Sequence, residues 1–332
     1  MKVTWTMPLL AALTMVHALA QSVTEYVPTD TQCVELNRTV VNQFANGQDA
    51  AAETLLSAAI GPSADRNRDT CAGFVLNNMT VLLSASGRIA EAERLAERSV
   101  KILEAMYPPD DLVLLRPLSA LAATRFEGGK SAQAREVFKR ILLIRAERPE
   151  DRALIHATAA VLLEAEGRQS EAEAEYLVTS RAWQEAGREE TADAGAVFTS
   201  LGSLYVKEHR FEEARQALDH ALTIFSRARD AFPTDSIRVF SVRGVLQALQ
   251  GAWLEAEQDL SKAFSMADRE PWVDPIALRS LLTSYAYVLR RNHHRREART
   301  IEARAAGIRL NPAMSTIVDV TDLLAKPKHL KK

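Results

Sequence analysis

A seven-residue phrase recurs along this chain at a nearly fixed interval, and the interval excludes most ways of folding. "GRIAEAE" begins at Gly87, "GKSAQAR" at Gly129, "GRQSEAE" at Gly167 and "GAWLEAE" at Gly251. "HRFEEAR" at His209 and "HHRREAR" at His293 carry the same phrase with histidine in the first place. Successive copies start 42, 38, 42, 42 and 42 residues apart. Self-similarity at this period predicts a solenoid of stacked units and outranks a search for one globular core.

The surroundings of the phrase give the unit. Ahead of it lies a helix-forming run such as "AVFTSLGSLYVKE", and after it a second amphipathic run such as "IAEAERLAERSVKILEAM". Glycine at the junction suits a helix end that needs a left-handed backbone angle. Seven residues upstream stands a small residue in every copy: Thr80, Ala122, Ala160, Gly202, Gly244 and Ala286. Five residues downstream stands an alanine. The two small positions let paired helices approach closely. Pro/Asp turns such as "YPPDD" at Tyr107 and "FPTDS" at Phe232 close the units, with proline stopping one helix and aspartate capping the next. The abundance of Ala, Leu, Glu and Arg and the 6% aromatic content agree with helix throughout.

These residues resemble the tetratricopeptide-repeat family, in the 42-residue variety familiar from kinesin light chains. "LNNMTVLLSASGRIAEAERLAERSVKILE" from Leu76 carries the paired Asn, the Gly-Arg turn and the Glu-Ala-Glu opening. "LGSLYVKEHRFEEARQALDHALTIF" from Leu201 has Leu201, Gly202, Tyr205, Ala214 and Ala221 where the general motif expects them. The resemblance spans roughly 31–310 and implies an all-α, right-handed superhelical solenoid of helix-turn-helix repeats. An earlier, divergent unit is readable at Gly47 and Ala52. Arg125 and Arg243 depart from the motif, standing where the family keeps apolar or aromatic side chains. Loose packing, or arginine stems laid along the surface, would accommodate them.

The expected organisation is a signal peptide over 1–20, a divergent helical repeat over 21–72, the main array over 73–312 and a tail over 313–332. The first segment has Lys2, an apolar run from Met7 to Val16, and Ala18-Leu19-Ala20 before Gln21, the pattern of a secretory signal cut between Ala20 and Gln21. That run is too short to cross a bilayer. The expectation is therefore an exported chain, periplasmic or secreted in a bacterial setting, without stable membrane insertion. Cys33 and Cys71 are the two cysteines. In an oxidising compartment they invite a disulfide; two buried, inert thiols are the alternative. In the repeat register both fall near the start of consecutive first helices, which favours the bridge and places it on the terminal unit, where one neighbour is missing.

In this family the first helices line a concave groove. Carried over position by position, the resemblance implies a partner groove of Asn77, Asn78, Val81, Ser119, Thr158, Thr199, Ser200, Ser203, Ser241, Val245, Thr283, Ser284 and Tyr287. Short, uncharged side chains of this kind suit close approach of a helix or an extended backbone. They equally suit nothing more than tight packing of first helices against one another. The lining offers Ala120, Thr158 and Ser200 where a clamp for a terminal carboxylate would carry cations. Basic clusters at 290–296 and 326–332 are read as a solvated cap and tail, and "STIVDVTDLL" from Ser315 as extended.

No phosphate loop, zinc-protease helix or nucleophile elbow occurs, and the net charge of −2 offers nothing to a polyanion. The functional expectation is an exported, non-catalytic scaffold for a protein or peptide partner, with no cofactor, metal or nucleic acid. The alternatives are a cell-envelope assembly or maintenance factor with several simultaneous partners, and an enzyme that uses the repeats as support.

Overall fold

The repeated phrase closes the same turn at every copy. The helix before it ends with the residue at the head of the phrase in the left-handed region: φ is +79° at Gly87, +76° at Gly129 and Gly167, and +80° at Gly251. His209 at +59° and His293 at +66° adopt the same conformation without glycine's freedom. The next amide then reaches back five residues, from Arg88 to Leu83, Lys130 to Arg125, Arg168 to Leu163, Arg210 to Tyr205, Ala252 to Gln247 and His294 to Leu289, each at 2.8–2.9 Å. This is the Schellman closure, which satisfies carbonyls that a helix end leaves without partners. In the divergent first unit the Gln48 amide likewise reaches back five residues, to the Gln43 carbonyl at 2.8 Å.

The computed structural model describes residues 31–45, 48–59, 66–85, 87–270, 273 and 275–308. The segment expected to be a signal peptide, with its expected cleavage site at Ala20 and Gln21, Gly47 and the tail over 313–332 lie outside them. Among the described residues there are fourteen α-helices and no strand. They are α1 (Thr31–Ala45), α2 (Asp49–Ala59), α3 (Arg66–Ala85), α4 (Ile89–Glu104), α5 (Leu115–Glu127), α6 (Ser131–Ile141) and α7 (Pro149–Ala165). There follow α8 (Gln169–Glu185), α9 (Ala192–Lys207), α10 (Phe211–Arg227), α11 (Pro233–Leu249), α12 (Trp253–Ala267), α13 (Pro275–Arg291) and α14 (Arg295–Gly307). One 3-10 turn, Leu112–Leu114, leads into α5. The all-α, helix-turn-helix class read from the repeats is the class observed. The chain divides within α7: the described residues through Leu162 make one compact unit, and those from Leu163 a second.

In the first unit α1 packs on α2, α3 on α4 and α5 on α6, and consecutive first helices α1, α3 and α5 also touch. Its terminal core gathers Cys33, Val40, Ala52, Cys71, Val75, Leu76, Met79, Leu83, Ala92 and Leu95. Cys33 and Cys71 form a disulfide with Cα atoms 5.6 Å apart, joining α1 to α3. The 38-residue step also has a local cause. Helix α6 has 11 residues where α8 and α10 have 17. The chain leaves it at Leu142 and Leu143, 45% and 73% exposed, then turns Ile144 inward. The Arg145 amide and guanidinium both reach Asp110, its carbonyl at 2.8 Å and its carboxylate at 2.7 Å, which pins the shortened exit.

In the second unit α9 packs on α10, α11 on α12 and α13 on α14. The small upstream residue is needed for contact distance. A methyl group on Gly202 would stand 2.6 Å from Leu218 Cγ, and one on Gly244 2.6 Å from Leu260 Cγ. The motif residues Leu201, Tyr205, Ala214 and Ala221 are buried around that contact.

The two departures from the motif are neither loose nor laid on the surface. Arg125 ion-pairs with Glu93 at 3.4 Å and donates to Glu97 at 2.8 Å, while Lys130 takes the other Glu93 oxygen at 2.7 Å. Arg243 grips Asp259 with two hydrogen bonds of 2.6 and 2.9 Å, and its guanidinium lies 5.5 Å from the centre of the Phe240 ring. Glu93 and Asp259 are buried. Each arginine therefore replaces an apolar contact with a buried carboxylate partner on the second helix of its own or the preceding repeat.

Candidate functional site

The surface available to a partner depends on what the first helices expose. Residues three, four and seven apart share a helix face, and the expected groove residues follow that spacing. Their exposure, however, separates them into two groups.

In the first unit Asn77, Ser119 and Thr158 are buried. Ser119 donates to the Leu115 carbonyl at 2.5 Å and Thr158 to that of Leu154 at 2.9 Å, so both hydroxyl protons are spent within their own helices. Asn78 and Val81 of α3 remain half-buried. The Asn78 amide is turned towards α1, donating to Asn37 Oδ1 at 2.9 Å. On α5, one turn before Ser119 and Ala120, stands Arg116. Its side chain is half-buried, and its Nε is buried with no acceptor among the described residues. Burial alone pulls its guanidinium pKa down to about 10.

In the second unit Thr199, Ser200 and Ser203 of α9 and Ser284 of α13 are buried. Thr199 donates to the Gly195 carbonyl at 3.0 Å. Ser241, Val245, Thr283 and Tyr287 stay half-buried along α11 and α13. Ser241 and Thr283 also donate backwards, to Ile237 at 2.7 Å and Arg279 at 2.9 Å. The Tyr287 ring lies 6.1 Å from that of Trp253, which Arg291 covers at 4.5 Å.

Burial thus divides the expected lining. Asn77, Ser119, Thr158, Thr199, Ser200, Ser203 and Ser284 are packed among their neighbours and expose little. The half-buried Asn78, Val81, Ser241, Val245, Thr283 and Tyr287 expose more.

Beneath the first-helix face of the second unit runs a polar chain. Arg238 of α11 donates to Ser200 Oγ at 2.9 Å. Tyr176 of α8, fully enclosed, donates its hydroxyl to Glu164 at 2.8 Å, and Lys207 donates to the other Glu164 oxygen at 2.6 Å. Burial, then the Glu164 charge, holds the Tyr176 pKa well above the ordinary phenol value. The Glu164 carboxylate is thereby held between two donors, one on each oxygen. No cluster of three or more His, Cys, Asp or Glu among the described residues is placed to hold a metal ion. At the last turn His294 Nδ1 and Asn292 Nδ2 both reach Glu257, at 2.9 and 2.6 Å.

Arg116 and Arg238 were absent from the groove read by resemblance. Both lie six residues before the small position of their repeat, Ala122 and Gly244, a shared register that could have found them.

No known family profile and no curated protein matches the sequence. Solved structures align with the chain, one of them, Cut9–Hcn1, with a TM-score above 0.5. The chain aligns with BtubC (BKLC) from P. vanneervenii at 23% identity and TM-score 0.49, over 69% of this chain and 92% of that one. With the APC/C hetero-tetramer Cut9–Hcn1 the TM-score is 0.55 at 12% identity, over 94% of this chain. This chain covers 52% of that longer one, about half its length. Pseudomonas aeruginosa PilF aligns at 14% identity and TM-score 0.44, over 72% and 91% of the two chains. Paired helices, Schellman turns and small contact residues at a fixed register define a helix-turn-helix repeat protein. The phrase and spacing of the repeats resemble those of tetratricopeptide repeats.

Proposed function

We propose that the protein is a non-catalytic interaction scaffold, exported from the cell, that holds a peptide or helix of a partner protein against the first helices of its repeats. The half-buried stripe carries this reading: Ser241 and Val245 on α11, with Thr283 and Tyr287 on α13, remain accessible at one register while their neighbours are packed away. With the Ser241 and Thr283 hydroxyl protons already donated within their helices, those residues present oxygen lone pairs, and their neighbours present methyl groups and an aromatic edge. Such a surface fits an amphipathic segment through shape and apolar contact. The signal-like first twenty residues support export, and the Cys33–Cys71 bridge suits an oxidising compartment.

The test is site-specific photocrosslinking in cells, with p-benzoylphenylalanine at Ser241 or Thr283 and, for comparison, at the exposed Leu254 on α12. Adducts with one partner from the α11 and α13 positions alone support the groove. Equal capture from Leu254, or recovery of the full-length uncleaved chain in the cytosol, overturns the corresponding half of the proposal. An activity assay is not the discriminating measurement, because nothing in the arrangement names a reaction.

A further inference from the structure

Arg116 is placed against the ordinary rule for arginine. A guanidinium carries five donors and its charge at all ordinary pH, and buried cations are paired. Half-buried arginines elsewhere in the first unit obey the rule: Arg88 has Glu91, and Arg125 has Glu93 and Glu97. Among the described residues Arg116 has no hydrogen-bond or ion-pair partner, and its Nε is enclosed.

The second unit shows how the same register is satisfied. Arg238 occupies the corresponding place on α11 and donates to Ser200 on the preceding first helix, α9. On α3, the first helix before α5, the residue corresponding to Ser200 is Asn78. Its amide is engaged with Asn37 on α1. The internal partner that the register would supply has been directed elsewhere.

We infer that Arg116 receives a carboxylate from the bound segment, delivered by an acidic side chain. The inference rests on the groove reading for the source of that side chain, although the anion site itself stands on Arg116 alone. A lone guanidinium balances one negative charge and matches the planar fork of a carboxylate. A phosphate group carries close to two charges, more than one guanidinium balances. Helix α5 is the third first helix in the chain and not a terminal one, so a segment crossing it delivers an Asp or Glu from mid-chain. Until it is filled, the site keeps a partly dehydrated charge unpaired, a cost to the free protein that binding removes.

The experiment uses the mature protein, its R116M variant and three probes. Sodium propionate is titrated while the Arg116 Nε–H resonance, assigned by its absence in R116M, is followed by NMR. Inorganic phosphate is titrated in parallel, and a random peptide library is selected on each protein. The expected results are a saturable propionate shift and enrichment of Asp or Glu at one peptide position on the wild type only. Selected peptides should bind R116M about 10–100-fold more weakly, the loss of one charge-assisted hydrogen-bonded pair. Without ligand, R116M should melt higher than the wild type, by about 2–4 °C.

A lower melting point for R116M means an internal partner and overturns the site, as does an Nε resonance indifferent to propionate. Saturation by phosphate but not propionate overturns the carboxylate assignment. Propionate binding with no peptide selected leaves the anion site standing and sinks the groove reading instead.

Discussion

Tyr176 donates its hydroxyl to Glu164 at 2.8 Å inside the second unit, and the carboxylate that receives it is held from its other side by Lys207. Tyr176→Phe keeps the ring but leaves one Glu164 oxygen without its donor. The expected loss is about 1–2 kcal/mol, read from urea denaturation. Stability should also fall with alkaline pH for this reason. The folded-state pKa of Tyr176 is raised, by burial first and by Glu164 second. Its contribution is therefore complete below the unfolded phenol value of about 10 and is lost as pH rises beyond it. Tyr205, pushed up to about 12 by burial and its bond to Glu173, adds to the same loss between about pH 10 and 12. The Y176F/Y205F double variant should flatten the alkaline limb; an unchanged limb would assign it elsewhere.

Arg243 and Asp259 form a second measurable pair. Arg243→Ala leaves the buried Asp259 carboxylate without its two hydrogen bonds and should cost about 2–3 kcal/mol. The R243M/D259L double variant should recover most of that loss, since apolar replacements of both partners remove the stranded charge. A double-mutant cycle showing no coupling would mean that the arginine acts through its other contacts, the Asp219 carboxylate at 3.1 Å and the Phe240 ring.

Gly202→Val inserts atoms where even one methyl would meet Leu218 at 2.6 Å. The repeat should lose about 1–3 kcal/mol by overpacking, and Leu218→Ala in the same chain should restore part of it. Thermal melts of the single and double variants decide this. If G202V and G202V/L218A are equally destabilised, the strain comes from somewhere other than this contact.

His209 and His293 hold left-handed backbone angles that their Cβ atoms oppose. Replacing each with the glycine found in the other copies should stabilise the protein by about 1 kcal/mol per site, even though both side chains are exposed. For His209 the gain is reduced by loss of its edge contact with Phe211. His293→Gly is therefore the cleaner measurement, and a drop in its unfolding midpoint would contradict the turn assignment.

The turns and helix pairs were legible in the sequence because each depends on local chemistry repeated at a fixed spacing. A positive φ, a small residue seven positions earlier and an alanine five later can be recognised in one dimension. The site was legible only in part, for a physical reason. A register says which side of a helix a residue occupies, but not how closely the neighbouring helix covers it. Thr199 and Ser241 hold equivalent places, ten residues before the phrase, yet one is enclosed and the other half-open. The mates of Arg125 and Arg243 lie on other helices, 32 and 16 positions away, and no pattern within one repeat announces them. Arg116 is marked out by a partner it lacks, a property that exists only once the chain has folded.

The shortened α6 has a consequence for how such a chain can change over generations. Helix α6 is six residues shorter than α8 and α10 while its repeat step is only four shorter, so the rest of the unit takes up the other two. Ala134, Val137 and Ile141 are still buried, and the Lys130 amide closes its turn on Arg125 as every other copy does. The price falls on Leu142 and Leu143, left outside where a longer helix would have continued. A loss at the end of a second helix is thus an edit that the architecture absorbs locally, because the apolar face before the cut keeps its phase and only the exit must be rebuilt.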